Sequence, residues 1–166
     1  MHHSKFLYVL ARIYKPKNYL ELGLYAGETF NLIEPLVQKA VGVDISPPQN
    51  LKGEIHKCTT DDFFKTNTTF FDLIFIDADH QYESSKKDFL NSIKFLNSRG
   101  LIVMHDTDPE TNELFSKNRC GDSYRIVKEL EQNTDYNILT IPIAEAGISI
   151  ITKKNDTRTY NRNSHE

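Results

Sequence analysis

The 166-residue chain is short of three things, and each shortage narrows what it does. It has two cysteines, Cys58 and Cys120, with no metal-ligand spacing. That excludes a disulfide framework or a cysteine-built zinc site and leaves free thiols, in a chain expected to be cytoplasmic. It has no basic excess, with 20 Lys and Arg against 23 Asp and Glu, so no positive field is available to hold a nucleic acid. No apolar run approaches the roughly 20 residues that a membrane-spanning helix needs. The N-terminal stretch "MHHSKFLYVLARIYKPK" is periodic, short and interrupted by Arg12, which suits an amphipathic helix and not a signal peptide. No internal repeat is present.

What the chain has is alternation. A helix is expected over Ser4–Tyr14, with Phe6, Leu7, Leu10 and Ile13 at helical spacing. Short apolar runs follow: "NYLELGL", "AVGVDIS", "GEIHKCT", "FDLIFID", "GLIVMHD", "YNILTIP" and "GISIITK". Amphipathic segments separate the first five, among them "ETFNLIEPLVQKA", kinked or ended at Pro35, and "QYESSKKDFLNSIKFLN". The runs "FDLIFID" and "GLIVMHD" are continuously apolar, as central strands covered on both faces should be. The last two runs are too close together for a crossover helix and should pair antiparallel. The expectation is an α/β, doubly wound, seven-stranded and mostly parallel sheet with its last strand antiparallel. One domain should occupy residues 1–153, followed by a polar, aperiodic tail over 154–166 expected to be disordered.

In such sheets ligands bind beyond the carboxyl ends of the strands. Glu21, Asp44, Asp77 and Asp106 all fall at or near those ends. Gly23 and Gly27 bracket the turn after the first strand, and Asp44 lies 23 residues after Glu21, where an acid can accept both hydroxyls of a ribose. A dinucleotide would ask for G-x-G-x-x-G, and Tyr25 stands where its second glycine belongs. A carboxylate beside this loop would repel phosphates and suit a cofactor bearing an amino group and a positive centre, a description that fits S-adenosylmethionine.

Over residues 4–153 the pattern resembles the class I S-adenosylmethionine-dependent methyltransferases. It is most similar to the small O-methyltransferase branch that includes catechol, caffeoyl-coenzyme A and macrolide-sugar enzymes. The resemblance implies a Rossmann-like methyltransferase fold. "YLELGLYAG" looks like the family's first motif, so Glu21 and Gly23 would contact the methionine part of the cofactor, with Tyr25 and Gly27 in the same turn. Asp44 and Ile45 would hold the ribose and flank the adenine. "CTTDDFF" would bring Thr60 and Asp61 to the adenine edge, with Cys58 in place of the usual glycine.

The same resemblance assigns the chemistry. In "DADH" the D-x-x-H spacing matches the base position of the sugar methyltransferases, which makes His80 the general base, with Asp77 beside it and within reach of the cofactor's amino group. Asp77 and Asp106 match two aspartates that bind a divalent cation in metal-dependent relatives, and oxygen ligands suit magnesium or a similar ion. Thr107 departs from the asparagine or aspartate usual after the second aspartate. The other reading is that both aspartates orient His80, His105 or the cofactor. Asp79 is expected to cap the helix that begins at Gln81. Tyr82 and Glu83 are expected to seat that helix, and Arg125 to touch substrate or, more simply, to lie on a solvated face. The 107–121 loop is the one segment able to cover the site, so the site is open or completed by another subunit of a homo-oligomer. The acceptor would be a hydroxyl of a small molecule or carbohydrate. A nicotinamide-dependent oxidoreductase and a non-catalytic cofactor-binding module are the competing readings.

Overall fold

A computed structural model describes residues 2–116, 119–143 and 146–154. The tail expected to be disordered lies outside the described residues from 155 onward. Seven strands form one sheet: β1 (Asn18–Leu22), β2 (Lys39–Asp44), β3 (Glu54–Lys57), β4 (Phe71–Ile76), β5 (Leu96–His105), β6 (Tyr136–Ile141) and β7 (Ile148–Lys153). Their order across the sheet is β3-β2-β1-β4-β5-β7-β6. β7 runs antiparallel to both of its neighbours, while β1 to β5 pair in parallel. The expected α/β sheet with an antiparallel last strand is therefore the one observed.

The period-2 geometry of the strands divides the core in two. On one face Leu20, Leu22, Ile74 and Ile76 pack with Phe63 and Phe64 of α3 (Thr60–Thr66), Phe89 of α4 (Tyr82–Ser92) and Ile126, Val127 and Leu130 of α5 (Arg125–Leu130). On the other, Tyr19, Leu73 and Phe75 pack with Leu7 and Ala11 of α1 (His3–Tyr14) and with Phe30 and Ile33 of α2 (Glu28–Ile33). Helices on both faces explain why β4 is apolar at almost every position. Fully buried side chains such as Phe89 contribute about 1.5–3 kcal/mol each.

One local expectation is met and two are corrected. The helix after β1 stops at Ile33, and Glu34–Leu36 form a 3-10 turn with Pro35 near its start; proline has no N–H for the next helical hydrogen bond. In α1 the buried stripe is Ser4, Leu7 and Ala11, and Ile13 is 76% exposed. β5 begins at Leu96, well before "GLIVMHD", with a register shift against β4 between Phe71 and Leu73.

The chain travels outward from β1 through β2 to β3, then crosses back to β4 on the other side of β1. That reversal opens a crevice at the carboxyl ends of β1, β2, β4 and β5. No helix among the described residues is long and apolar enough to cross a membrane.

Candidate active site

The crevice holds a cleft of about 760 Å³, lined among others by Glu21, Gly23, Tyr25, Asp44, Ile45, Asp77, His80 and Asp106. A second cleft of about 500 Å³ shares Gly23, Asp44, Ile45 and Ala78 with it and adds Thr60, Asp61 and Asp88. Every residue expected at the site lines one of the two clefts except Gly27.

The turn after β1 is built for packing against its own chain. Gly23 has φ 87°, and a Cβ there would stand 2.2 Å from the carbonyl oxygen of Asp77. The glycine lets the turn press against the end of β4, a different reason from the approach of a ligand. Gly27 likewise faces protein, with Leu51 Cδ2 2.6 Å from where its Cβ would be. Asp44 pins the turn from β2: Oδ2 accepts hydrogen bonds from the amides of Leu24 (2.8 Å) and Tyr25 (3.3 Å), and Oδ1 from Ser46 (2.7 Å). Oδ2 thus has both of its acceptor sites filled, and one site remains on Oδ1. Ile45 beside it is 71% exposed, an apolar surface at the cleft mouth.

Glu21 is 2% exposed and accepts a 2.6 Å hydrogen bond from Tyr19 Oη. Burial pushes its carboxyl well above the usual range, which weakens its part in the repulsion of phosphate that the sequence suggested. The other acids of the clefts are Asp44, Asp77, Asp106, Glu28, Asp61, Asp79 and Asp88, against which stand Arg119 and Lys87. Lys87 is occupied by Asp61 at 2.9 Å.

Opposite lies a chain of imidazoles and carboxylates. His80 Nδ1 is 2.5 Å from Asp106 Oδ2, and His105 Nδ1 is 3.2 Å from Asp106 Oδ1 and 3.3 Å from Asp77 Oδ1. The hydrogen bond to Asp106 raises the pKa of His80 against the opposing effect of burial. Burial alone would pull His105 down, but Asp77 and then Asp106 outweigh it and the net direction is up. For Asp106 burial pushes up, and the hydrogen bond from His80 with the two imidazoles more than offsets it, so its carboxyl is held below the usual range. Asp106 has φ 58°, a left-handed conformation that aspartate tolerates better than most residues and that recurs at functional sites.

The segment after the 107–121 loop fixes His80 from behind. The amides of Asp122 and Ser123 donate to its carbonyl at 3.0 and 3.2 Å. Gly121, φ 55°, lies so close that a Cβ would be 2.1 Å from that oxygen. Asp122 Oδ1 accepts from the amide of Tyr82 at 2.7 Å and so supplies the α4 cap expected of Asp79, which accepts instead from Gln81 at 3.2 Å. Leu114, Arg119 and Cys120 of the loop wall the larger cleft, while residues 117–118 lie outside the described ones. Burial and then Asp106 push the Cys120 thiol up to about 12, so it is no nucleophile. Arg125 pairs with Asp122 at 3.0 Å and lies 4.6 Å over the Tyr82 ring, on a solvated face.

Residues 20–107, just over half the chain, match the profile of a family described as methyltransferase domain. The chain belongs to that family. Solved structures share the fold of this methyltransferase domain at low identity. SAH-bound PaMTH1 from Podospora anserina is 18% identical over 92% of this chain and 78% of its own, with a TM-score of 0.75. An O-methyltransferase from Bacillus cereus in complex with SAH is 16% identical, covering 92% and 80%, with a TM-score of 0.69. TomG from Streptomyces achromogenes, an O-methyltransferase in complex with SAM, is 15% identical, covering 91% and 79%, with a TM-score of 0.68. Among curated proteins none matches.

Sequence reasoning missed His3, which the start of α1 brings against the His105 ring with centroids 4.4 Å apart. The "HH" pair in "MHHSKF" was visible, but nothing local told that α1 begins over the strand ends. It missed Asp88 too, 3% exposed and lining the smaller cleft, whose carboxyl burial pushes up to about 6.

Proposed function

We propose that this methyltransferase domain is an S-adenosylmethionine-dependent O-methyltransferase acting on a hydroxyl of a small molecule or sugar, with His80 as general base. The observation that carries the reading is the pinned pair of His80 and Asp106 on the wall of a cleft whose other wall is Asp44.

The clefts fit the cofactor by their donor set. Asp44 is held by three backbone amides, with one acceptor site left on Oδ1 for a ribose hydroxyl. Ile45 offers an apolar plane for a ring, and Thr60 and Asp61 lie at the far end beside it. A predominantly acidic lining with one cation already paired favours a ligand carrying positive charge and disfavours a pyrophosphate. When bound, S-adenosylmethionine supplies a methyl carbon activated by a sulfonium. The chain's own part is to align the acceptor and take its proton.

Asp106 decides how His80 does that. An ionised carboxylate only accepts hydrogen bonds, so the proton of a neutral imidazole sits on Nδ1 and the lone pair on Nε2. The 37% exposure of the His80 side chain leaves it reachable from the cleft. Because Asp106 raises its pKa, His80 carries a proton over a wider pH range than an isolated histidine and accepts one only above that raised value. Asp77, between His105 and the cleft, suits the amino group of the cofactor. Glu21, whose carboxyl burial pushes up, lines the same cleft as a hydrogen-bonding group.

The test is turnover of S-adenosylmethionine against a panel of sugars, glycans and phenols, by wild type and His80→Ala. Wild-type methylation of a hydroxyl, lost in His80→Ala with cofactor affinity retained, is the expected result. Undiminished turnover in the variant would remove His80 from the mechanism.

A further inference from the structure

The larger cleft holds one permanent positive charge that nothing in it answers. Its acids are Glu21, Glu28, Asp44, Asp77 and Asp106, and Arg119 is the single Lys or Arg among its lining residues. The guanidinium is exposed and makes no ion pair or side-chain hydrogen bond among the described residues. It offers five N–H donors, accepts nothing and stays charged at every working pH. The backbone beneath it is braced. The amide of Arg119 donates to the Ser116 carbonyl at 2.9 Å, that of Cys120 to Leu114 at 3.0 Å and that of Gly121 to Ser116 at 3.2 Å. Leu114, Cys120 and Ala146 pack together under this turn. The Cys120 thiol lies against the Asp106 carboxylate, and Gly121 presses on the His80 carbonyl. Arg119 therefore stands on the wall that carries the His80–Asp106 pair, opposite Asp44.

We propose that Arg119 determines acceptor specificity by taking a carboxylate of the substrate, which makes the acceptor a hydroxylated carboxylic acid, either an acidic sugar or a hydroxylated aromatic acid. This rests on the O-methyltransferase reading above and narrows it. The planar fork of a guanidinium matches a carboxylate through two parallel N–H···O bonds. The surrounding acids select the size of the charge: a phosphate dianion meets about twice the repulsion that a carboxylate meets. The ribose site proposed at Asp44 lies on the other wall, so the guanidinium faces the acceptor and not the nucleoside. A carboxylate anchored there and a hydroxyl turned to His80 fix the acceptor at two points, which is the alignment that methyl transfer asks of the protein.

The test is equilibrium binding to the full chain, with and without S-adenosylhomocysteine, of two matched pairs: 4-hydroxybenzoate against 4-hydroxybenzamide, and glucuronate against glucose. Binding needs no turnover, so a failure of methyl transfer and a failure of the carboxylate subsite show separately, and the two pairs tell an aromatic acid from an acidic sugar. In at least one pair the acid should bind about tenfold tighter than its neutral partner, the low end for a charged hydrogen-bonded pair because Arg119 is open to solvent. Arg119→Gln should abolish that preference and leave the neutral partner's affinity unchanged. Arg119→Lys, which keeps the charge without the fork, should restore part of it. S-adenosylhomocysteine affinity should be the same in all three proteins. An acid that binds no tighter than its neutral partner in both pairs, or a preference that survives Arg119→Gln, would overturn the proposal. A fall in S-adenosylhomocysteine affinity in Arg119→Gln would overturn it too, by giving the guanidinium to the carboxylate of the cofactor.

Discussion

Asp106→Asn isolates the role of the carboxylate behind His80. Asparagine tolerates the left-handed backbone of position 106, φ 58°, nearly as well as aspartate, so the fold should survive where alanine would add strain. Two losses follow. A hydrogen bond to a charged group is worth about 1.5–3 kcal/mol and a neutral one about 0.5–1.5. The weaker hold on His80 alone then costs up to roughly tenfold in rate, and the 37% exposure of His80 places the figure at the low end because solvent screens the pair. The second loss is larger. An amide can donate as well as accept, so Nδ1 no longer has to carry the proton, and Nε2 can present N–H to the acceptor in place of a lone pair. General-base catalysis typically contributes about 10²–10⁴-fold, and kcat should fall within that range. The pH profile carries the sign. Asp106 raises the His80 pKa, so wild-type rate should climb with pH through an inflection above that of ordinary histidine, and removing the carboxylate should move it down. Steady-state kinetics across pH, with cofactor affinity by calorimetry, reads both. Unchanged kcat together with an unmoved inflection would refute the assignment.

Other substitutions probe separate parts of the account. Asp88 is buried and its carboxyl is pushed up to about 6. A folded-state value above the unfolded value of about 3.9 means that stability is fully present at acid pH and lost as pH rises through the folded value, by about 2–3 kcal/mol. Asp88→Asn should therefore stabilise the fold at pH 8 and not at pH 4 in urea unfolding, and a pH-independent difference would contradict this. Gly121→Ala puts a Cβ 2.1 Å from the His80 carbonyl oxygen at φ 55°. It should cost about 2–4 kcal/mol of stability and lower kcat with cofactor affinity retained; equal loss of both would place Gly121 in cofactor binding. Asp44→Ala leaves the amides of Leu24, Tyr25 and Ser46 without their acceptor. S-adenosylmethionine affinity should fall about 10–100-fold, and calorimetry showing no change would detach Asp44 from the ribose.

Much of the scaffold was legible because its signals are local. The runs of β4 and β5 are apolar on both faces, and each ends in an acid, Asp77 or Asp106, on the same edge of the sheet. Pro35 announced the end of α2. The purposes of single residues were less legible, because they are set by contacts between distant segments. Gly23 reads as a ligand-approach glycine until β4 is seen pressed against it. Asp79 reads as the α4 cap until Asp122, 40 residues beyond Tyr82, takes that place. Ile13 fits the helical period of α1 but falls where no neighbour covers it. His3 carries no local signal at all, since only the docking of α1 beside β4 and β5 brings it to His105. Glu21 was identifiable as a strand-end acid, but the upward push that burial gives its carboxyl is revealed by no spacing.

The most direct measurement is calorimetric titration of the full chain with S-adenosylmethionine, with NAD as the comparison ligand. Saturable one-site binding of the sulfonium, with no heat from the pyrophosphate-bearing ligand, is the result expected of an acidic cleft whose turn is pinned by Asp44. Binding of NAD in preference, or of neither, would contradict the account at its root.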